Sequence, residues 1–159
     1  MGACLRHWGF RHISFYESTY AMWEKADTKT LFALASRSQR FEDWLWVLCY
    51  RELDEVFPDS RYLLTRTRSS PDSWFQILGA HGGGTGPTRL CEVVYGHTMP
   101  HRYRDEQIQF YESHLQEVRH YFRNRPHDLL EVCWEEGDEW RALADFRDTP
   151  LLDTPFPDA

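Results

Sequence analysis

Arg66, Thr67, Arg68, Ser69 and Ser70 stand between a short apolar run, 61-RYLLT-65, and Pro71. Proline suits the first turn of a helix, and Ser70 is placed to cap it. The segment 63-LLTRTRSSPDSW-74 therefore puts guanidinium and hydroxyl groups beside a helix start. Backbone N–H groups at such a start, together with the helix dipole, favour an anion, and arginine adds bidentate charge-assisted hydrogen bonds. The chemistry is that of a phosphate or sulfate site. The competing reading is a solvated turn whose arginines pair with some of the chain's 25 acidic residues.

Other constellations say less. The stretch 82-GGGTGPT-88 looks like a phosphate cradle but lacks the G-K-[ST] ending of a P-loop, so it reads as a lid or substrate-side loop. His97 and His101 have a helical ligand spacing, but Pro100 argues against a regular helix there, so both read as surface or substrate-lining side chains, with no metal expected. His114 and His120 fall off the neighbouring apolar stripe and read as solvated. In 42-EDWLW-46, Asp43 beside Trp44 is either a desolvated general base or part of a helix start with aromatic packing. Cys4, Cys49, Cys91 and Cys133 form no C-x-x-C pair and read as reduced, mostly buried thiols.

Alternating elements must hold these groups. Residues 2–8 read as part of a helix and 11-RHISF-15 as a short strand. Helices follow at 18–26 and 28–37, with Asp27 or Thr28 as cap. Over 42–57, Leu45, Leu48, Cys49, Leu53, Val56 and Phe57 recur at helical spacing before Pro58. A strand is expected at 61–65 and a helix from Pro71 through Trp74, Phe75 and Leu78 to a glycine loop, 79-GAHGGGTGP-87. The strongest helix is 105–123, with the stripe Ile108, Tyr111, Leu115, Val118 and Phe122. A strand at 128–134, a helix at 138–146 opened by Asp138 and an extended tail from residue 150 complete the chain. The alternation points to an α/β fold, a parallel sheet covered by helices on both faces, whose ligands bind at the carboxyl ends of the strands.

With 159 residues the chain is expected to be one domain, 1–159. Aromatic residues make up 16%, too many for disorder. The net charge of −7 argues against a nucleic-acid partner, and no run is long and apolar enough for a membrane span or a signal peptide. A soluble, cytoplasmic protein is the expectation.

The chain resembles the P-loop sulfotransferase family, in its bacterial branch of small sulfotransferase-like proteins. The resemblance rests on 41-FEDWLW-46, 50-YRELDEVFPDSRYLLTRTRSSPDSW-74, 80-AHGGGTGPT-88, 111-YESHLQEVRHYFRNRPHDLLEVCWEEGDEW-140 and 145-DFRDTPLLDTPFP-157. It implies a three-layer α/β fold of the P-loop nucleoside triphosphate hydrolase type. It also implies transfer of a sulfuryl group from 3′-phosphoadenosine 5′-phosphosulfate to a hydroxyl or amine of a small molecule or glycan. On that resemblance Arg68 or Arg66, with Ser69 and Ser70, would hold the donor's 3′-phosphate. Asp43 would deprotonate the nucleophile, and Trp44, His97 and His101 would border the acceptor. Ile77 stands where the family carries a helix serine. The opening residues, MGACLRHWGF, look like the helix that follows the P-loop, so the resemblance leads one to expect a domain without its first strand and P-loop. Two expectations follow from that: association through exposed sheet edges, and, as the alternative function, a non-catalytic binding protein that keeps the fold.

Overall fold

A computed structural model describes residues 12–13, 17–42, 45–68, 70–137 and 140–156. The expected helix at 2–8 and the cap Asp138 lie outside them. Contacts divide the chain into two compact units, residues 1–60 with 155–159 and residues 61–154.

In the first unit, strand β1 (His12–Ile13) pairs in parallel with β2 (Arg40–Phe41). Between them come helices α1 (Glu17–Glu24) and α2 (Thr28–Ala35). Of the two cap candidates, Asp27 and Thr28, it is Asp27 that caps α2: its Oδ1 accepts the Thr30 backbone N–H at 3.1 Å. That bond lowers the Asp27 pKa below its ordinary value. The expected helix over 42–57 is shorter, confined to α3 (Tyr50–Val56). The apolar spacing is real, but Leu45 takes a left-handed φ of +82°, which no regular helix accommodates. Leu45, Trp46, Cys49 and Leu53 nevertheless reach one buried cluster with Leu31 and Ala35. Burial pushes the Cys49 thiol up to about 12, so it is a protonated apolar filler.

In the second unit, β3 (Tyr62–Thr65) and β4 (Leu129–Val132) pair in parallel, Tyr62 opposite Leu129 and Thr65 opposite Val132. The ladder continues past β3, where the Arg66 N–H donates to the Val132 carbonyl at 2.9 Å. Parallel pairing demands a long crossover. It is built from α4 (Pro71–Thr85), α5 (Arg89–Tyr95) and α6 (Arg104–Phe122), with a 3-10 turn at Pro100–Arg102. A second 3-10 turn, Trp134–Glu136, and helix α7 (Trp140–Arg147) follow β4.

Two expectations are corrected here. The glycine stretch is not a loop: α4 runs through Gly79, Gly82, Gly83 and Gly84 to Thr85. Close packing explains one of these glycines, since a Cβ on Gly82 would stand 2.6 Å from Nδ1 of His101. Helix α6 buries Tyr111, Leu115, Val118 and Phe122 as expected, but also Gln107, whose Nε2 donates to the Tyr95 carbonyl at the end of α5. On the same helix His114 is half-buried rather than solvated, and desolvation lowers its pKa. Cys49, Cys91 and Cys133 are buried thiols without a disulfide. No helix among the described residues is long and apolar enough to cross a membrane.

Candidate functional site

The turn between β3 and α4 opens onto a concavity of about 170 Å³. Arg66, Thr67, Ser70 and Pro71 form one wall. Tyr111, Glu112, Leu115, Gln116 and Arg119 form the other, a single face of α6 with the spacing that a helix puts on one side.

The turn is rigidly supported. Thr67 donates its backbone N–H to the Tyr111 hydroxyl at 3.1 Å and its own hydroxyl to the Ser70 carbonyl at 3.1 Å. Tyr111 in turn stacks on Trp74 of α4, ring centroids 4.6 Å apart and 11° from parallel. Ser70 occupies the N-cap position in an extended conformation, but its side chain makes no capping bond. Pro71 has no N–H and the Ser73 N–H donates to the Ser70 carbonyl at 3.0 Å, so the Asp72 N–H is the first-turn donor that this missing cap leaves for another acceptor.

The arginines divide by role. Arg66 is clamped: its Nη2 lies 2.6 Å from Glu136, and its Nε 3.1 Å from Glu131. The Glu136 hydrogen bond raises the Arg66 pKa above its ordinary value. Glu131 is shared, since Arg119 grips it through Nε at 2.8 Å and Nη2 at 2.6 Å. Those bonds, Arg119 first, hold Glu131 below the usual carboxylate range against the opposing effect of its own partial burial. Arg68 differs. Its backbone N–H donates to Glu135 at 2.5 Å, while its exposed guanidinium makes no hydrogen bond or ion pair among the described residues. A charge-bearing fork is therefore available beside an uncapped helix start, a combination suited to a phosphate or sulfate group.

The structure thus brings Arg66 and Ser70 together at one groove, with Arg68 in the same turn. Ser69, Asp43 and Trp44 lie outside the described residues. His97 and His101 do not line the groove. His97 stacks on Tyr103 at 3.5 Å and meets Glu106 at 2.8 Å, and His101 packs on Gly82. Sequence reasoning missed Arg119 and Glu131, whose roles depend on contacts far apart in the chain. Arg119 did carry one signal, lying eight residues after Tyr111 on the same helix face. Among the described residues no group of three His, Cys, Asp or Glu is placed to hold a metal ion.

No curated protein matches the chain. Residues 85–159 match the family model described as "Sulfotransferase domain". The match covers the α6 wall of the groove, β4 and the acidic turn after it, and it supports a sulfotransferase-type function in general. That match marks residues 85–159 as similar to a sulfotransferase domain.

Proposed function

We propose that the protein serves sulfuryl transfer from 3′-phosphoadenosine 5′-phosphosulfate to a hydroxyl or amine of a small molecule or glycan. In this reading the turn after β3 holds the donor's 3′-phosphate. The observation that carries it is the Arg68 guanidinium, unpaired among the described residues, beside the uncapped start of α4. Arg68 supplies the charged grip, Ser69 and Ser70 supply hydroxyls, and the Asp72 N–H in the first turn of α4 completes the cradle. Arg66, held by Glu131 and Glu136, shapes the turn and adds a second charged contact only where the phosphate displaces Glu136. The reading carries with it the three-layer arrangement of the family, of which β3 and β4 form one parallel pair. Asp43 is proposed as the base, with Trp44, His97 and His101 on the acceptor side.

Calorimetry with adenosine 3′,5′-bisphosphate tests the site without requiring turnover. Arg68→Ala is expected to weaken binding roughly ten- to hundredfold, the scale of a charge-assisted hydrogen bond. The loss for Arg66→Ala should be smaller. The reverse order would move the principal contact to Arg66, and equal affinity for both variants and the wild type would overturn the reading.

A further inference from the structure

The 3-10 turn Trp134–Glu136 presents two carboxylates to the donors that a phosphate would use. Glu135 accepts the Arg68 backbone N–H at 2.5 Å, and its carboxylate also takes the Cys133 thiol at 3.7 Å. Glu136 takes Nη2 and Nη1 of Arg66 at 2.6 and 3.3 Å. A backbone N–H before a helix start and a two-point guanidinium contact are what an oxyanion seeks. Here carboxylate oxygens of the chain itself stand in for phosphate oxygens.

Charge leads to the same place. Arg66 and Arg119 are paired with Glu131 and Glu136, and Glu135 sits on the Arg68 backbone N–H, so three carboxylates stand around this turn beside its three arginines. An arriving dianion meets little net positive field until some of those carboxylates leave. Glu131 is fixed by its place in β4 and by two arginines. Glu135 and Glu136 are exposed, on one turn that ends at Gly137 with φ +86°. A short 3-10 turn followed by a left-handed glycine moves at little cost to the sheet beside it.

We propose that Trp134–Glu136 is a built-in competitor for the anion site. Glu135 and Glu136 occupy the donors when no phosphate ester is present, and binding exchanges them for phosphate oxygens. The device sets a threshold: weakly charged or monodentate anions do not displace two carboxylates, whereas a phosphate monoester can. The inference rests on the phosphate-site reading above.

The test is calorimetric titration with adenosine 3′,5′-bisphosphate, and separately with inorganic phosphate. It compares the wild type with Glu135→Gln, Glu136→Gln, their double variant, Arg68→Ala in the wild-type and double-variant backgrounds, and Glu112→Gln. Glu112 lines the same groove but makes no ion pair among the described residues, so its variant controls for charge alone. The double variant is expected to bind the bisphosphate at least tenfold more tightly, each single variant less, and Glu112→Gln less than threefold. Inorganic phosphate should gain in the same order. Binding that appears only in the double variant also supports the competitor. If the double variant matches the wild type while Arg68→Ala still weakens binding, the competitor falls and the phosphate site stands. Equal tightening by Glu112→Gln overturns it as a general charge effect. If Arg68→Ala changes nothing in either background, or no variant binds, the site reading falls and the inference with it.

Discussion

Two stretches close together in the chain, 66–70 and 79–86, share the composition of a ligand-binding loop, and the fold treats them oppositely. The first remains a turn, held from outside by Tyr111, Glu131, Glu135 and Glu136. The second is wound into α4 and ends only at Gly86, where φ is +73°. Glycine in a helix interior is costly, about 1 kcal/mol relative to alanine. Small size is what Gly82 supplies, because His101 closes directly over it. Polar residues kept as a turn mark a place where charge is handled, whereas glycines inside a helix mark a place where another element comes close.

The largest expected effect lies at that approach. Gly82→Val puts a branched Cβ where Nδ1 of His101 stands 2.6 Å away. Overpacking of this kind, with the poorer helix propensity of a β-branched residue, should destabilise the protein by about 2–3 kcal/mol. Urea melts would measure it, and adding His101→Ala should restore part of the loss. An unchanged midpoint for Gly82→Val would mean that α4 and the Pro100–Arg102 turn are not closely packed, and the comparison would break.

A middle-sized effect is expected on the turn's side. Glu131 has its pKa depressed in the folded state by Arg119 and then Arg66. A depressed carboxylate stabilises the fold above its unfolded pKa, and that contribution is lost as pH falls through the folded value. Stability should therefore decline below about pH 4.3, the ordinary glutamate value. Because the groups are partly solvated, the part owed to Glu131 is on the order of 1 kcal/mol. Comparing melts of the wild type and Glu131→Gln between pH 3 and 7 isolates it: the gap should be widest near neutrality and close in acid. A gap that stays constant with pH would show that the two arginines do not draw on the carboxylate's charge.

Local signals explain what could be read from sequence. The Asp27 cap, the strand at 62–65 and the helix at 104–122 each follow from short-range chemistry, and all three are present. Helix α5, absent from the expected elements, has local signals of its own: Thr88 accepts the Cys91 N–H at 3.1 Å, and Gly96 ends the helix at φ +76°. The break at Leu45 carried none, because its backbone is bent to bring that side chain to a core formed with Leu31 and Ala35. At the site, both Arg66 and Arg68 were visible as candidates. Their division of labour was not, since it depends on Glu131, Glu135 and Glu136, which reach the turn only through β4 and the segment just after it.

The smallest effect has the opposite sign and separates the glycines of α4 from one another. Gly83 lies next to Gly82 in the helix, is exposed, and has nothing within 4 Å of where a Cβ would stand. No close approach and no positive φ requires a glycine there. Gly83→Ala should lower the entropy of the unfolded chain and raise helix propensity without a clash, stabilising the protein by about 0.5 kcal/mol. The expected pattern is thus gain at Gly83 and loss at Gly82, at adjacent positions in one helix. Paired denaturant melts of Gly83→Ala and Gly82→Val resolve a difference of that size and sign. If Gly83→Ala destabilised as well, residues 82–85 would need the freedom of a loop in the native state, and the glycine stretch would belong with the 66–70 turn after all.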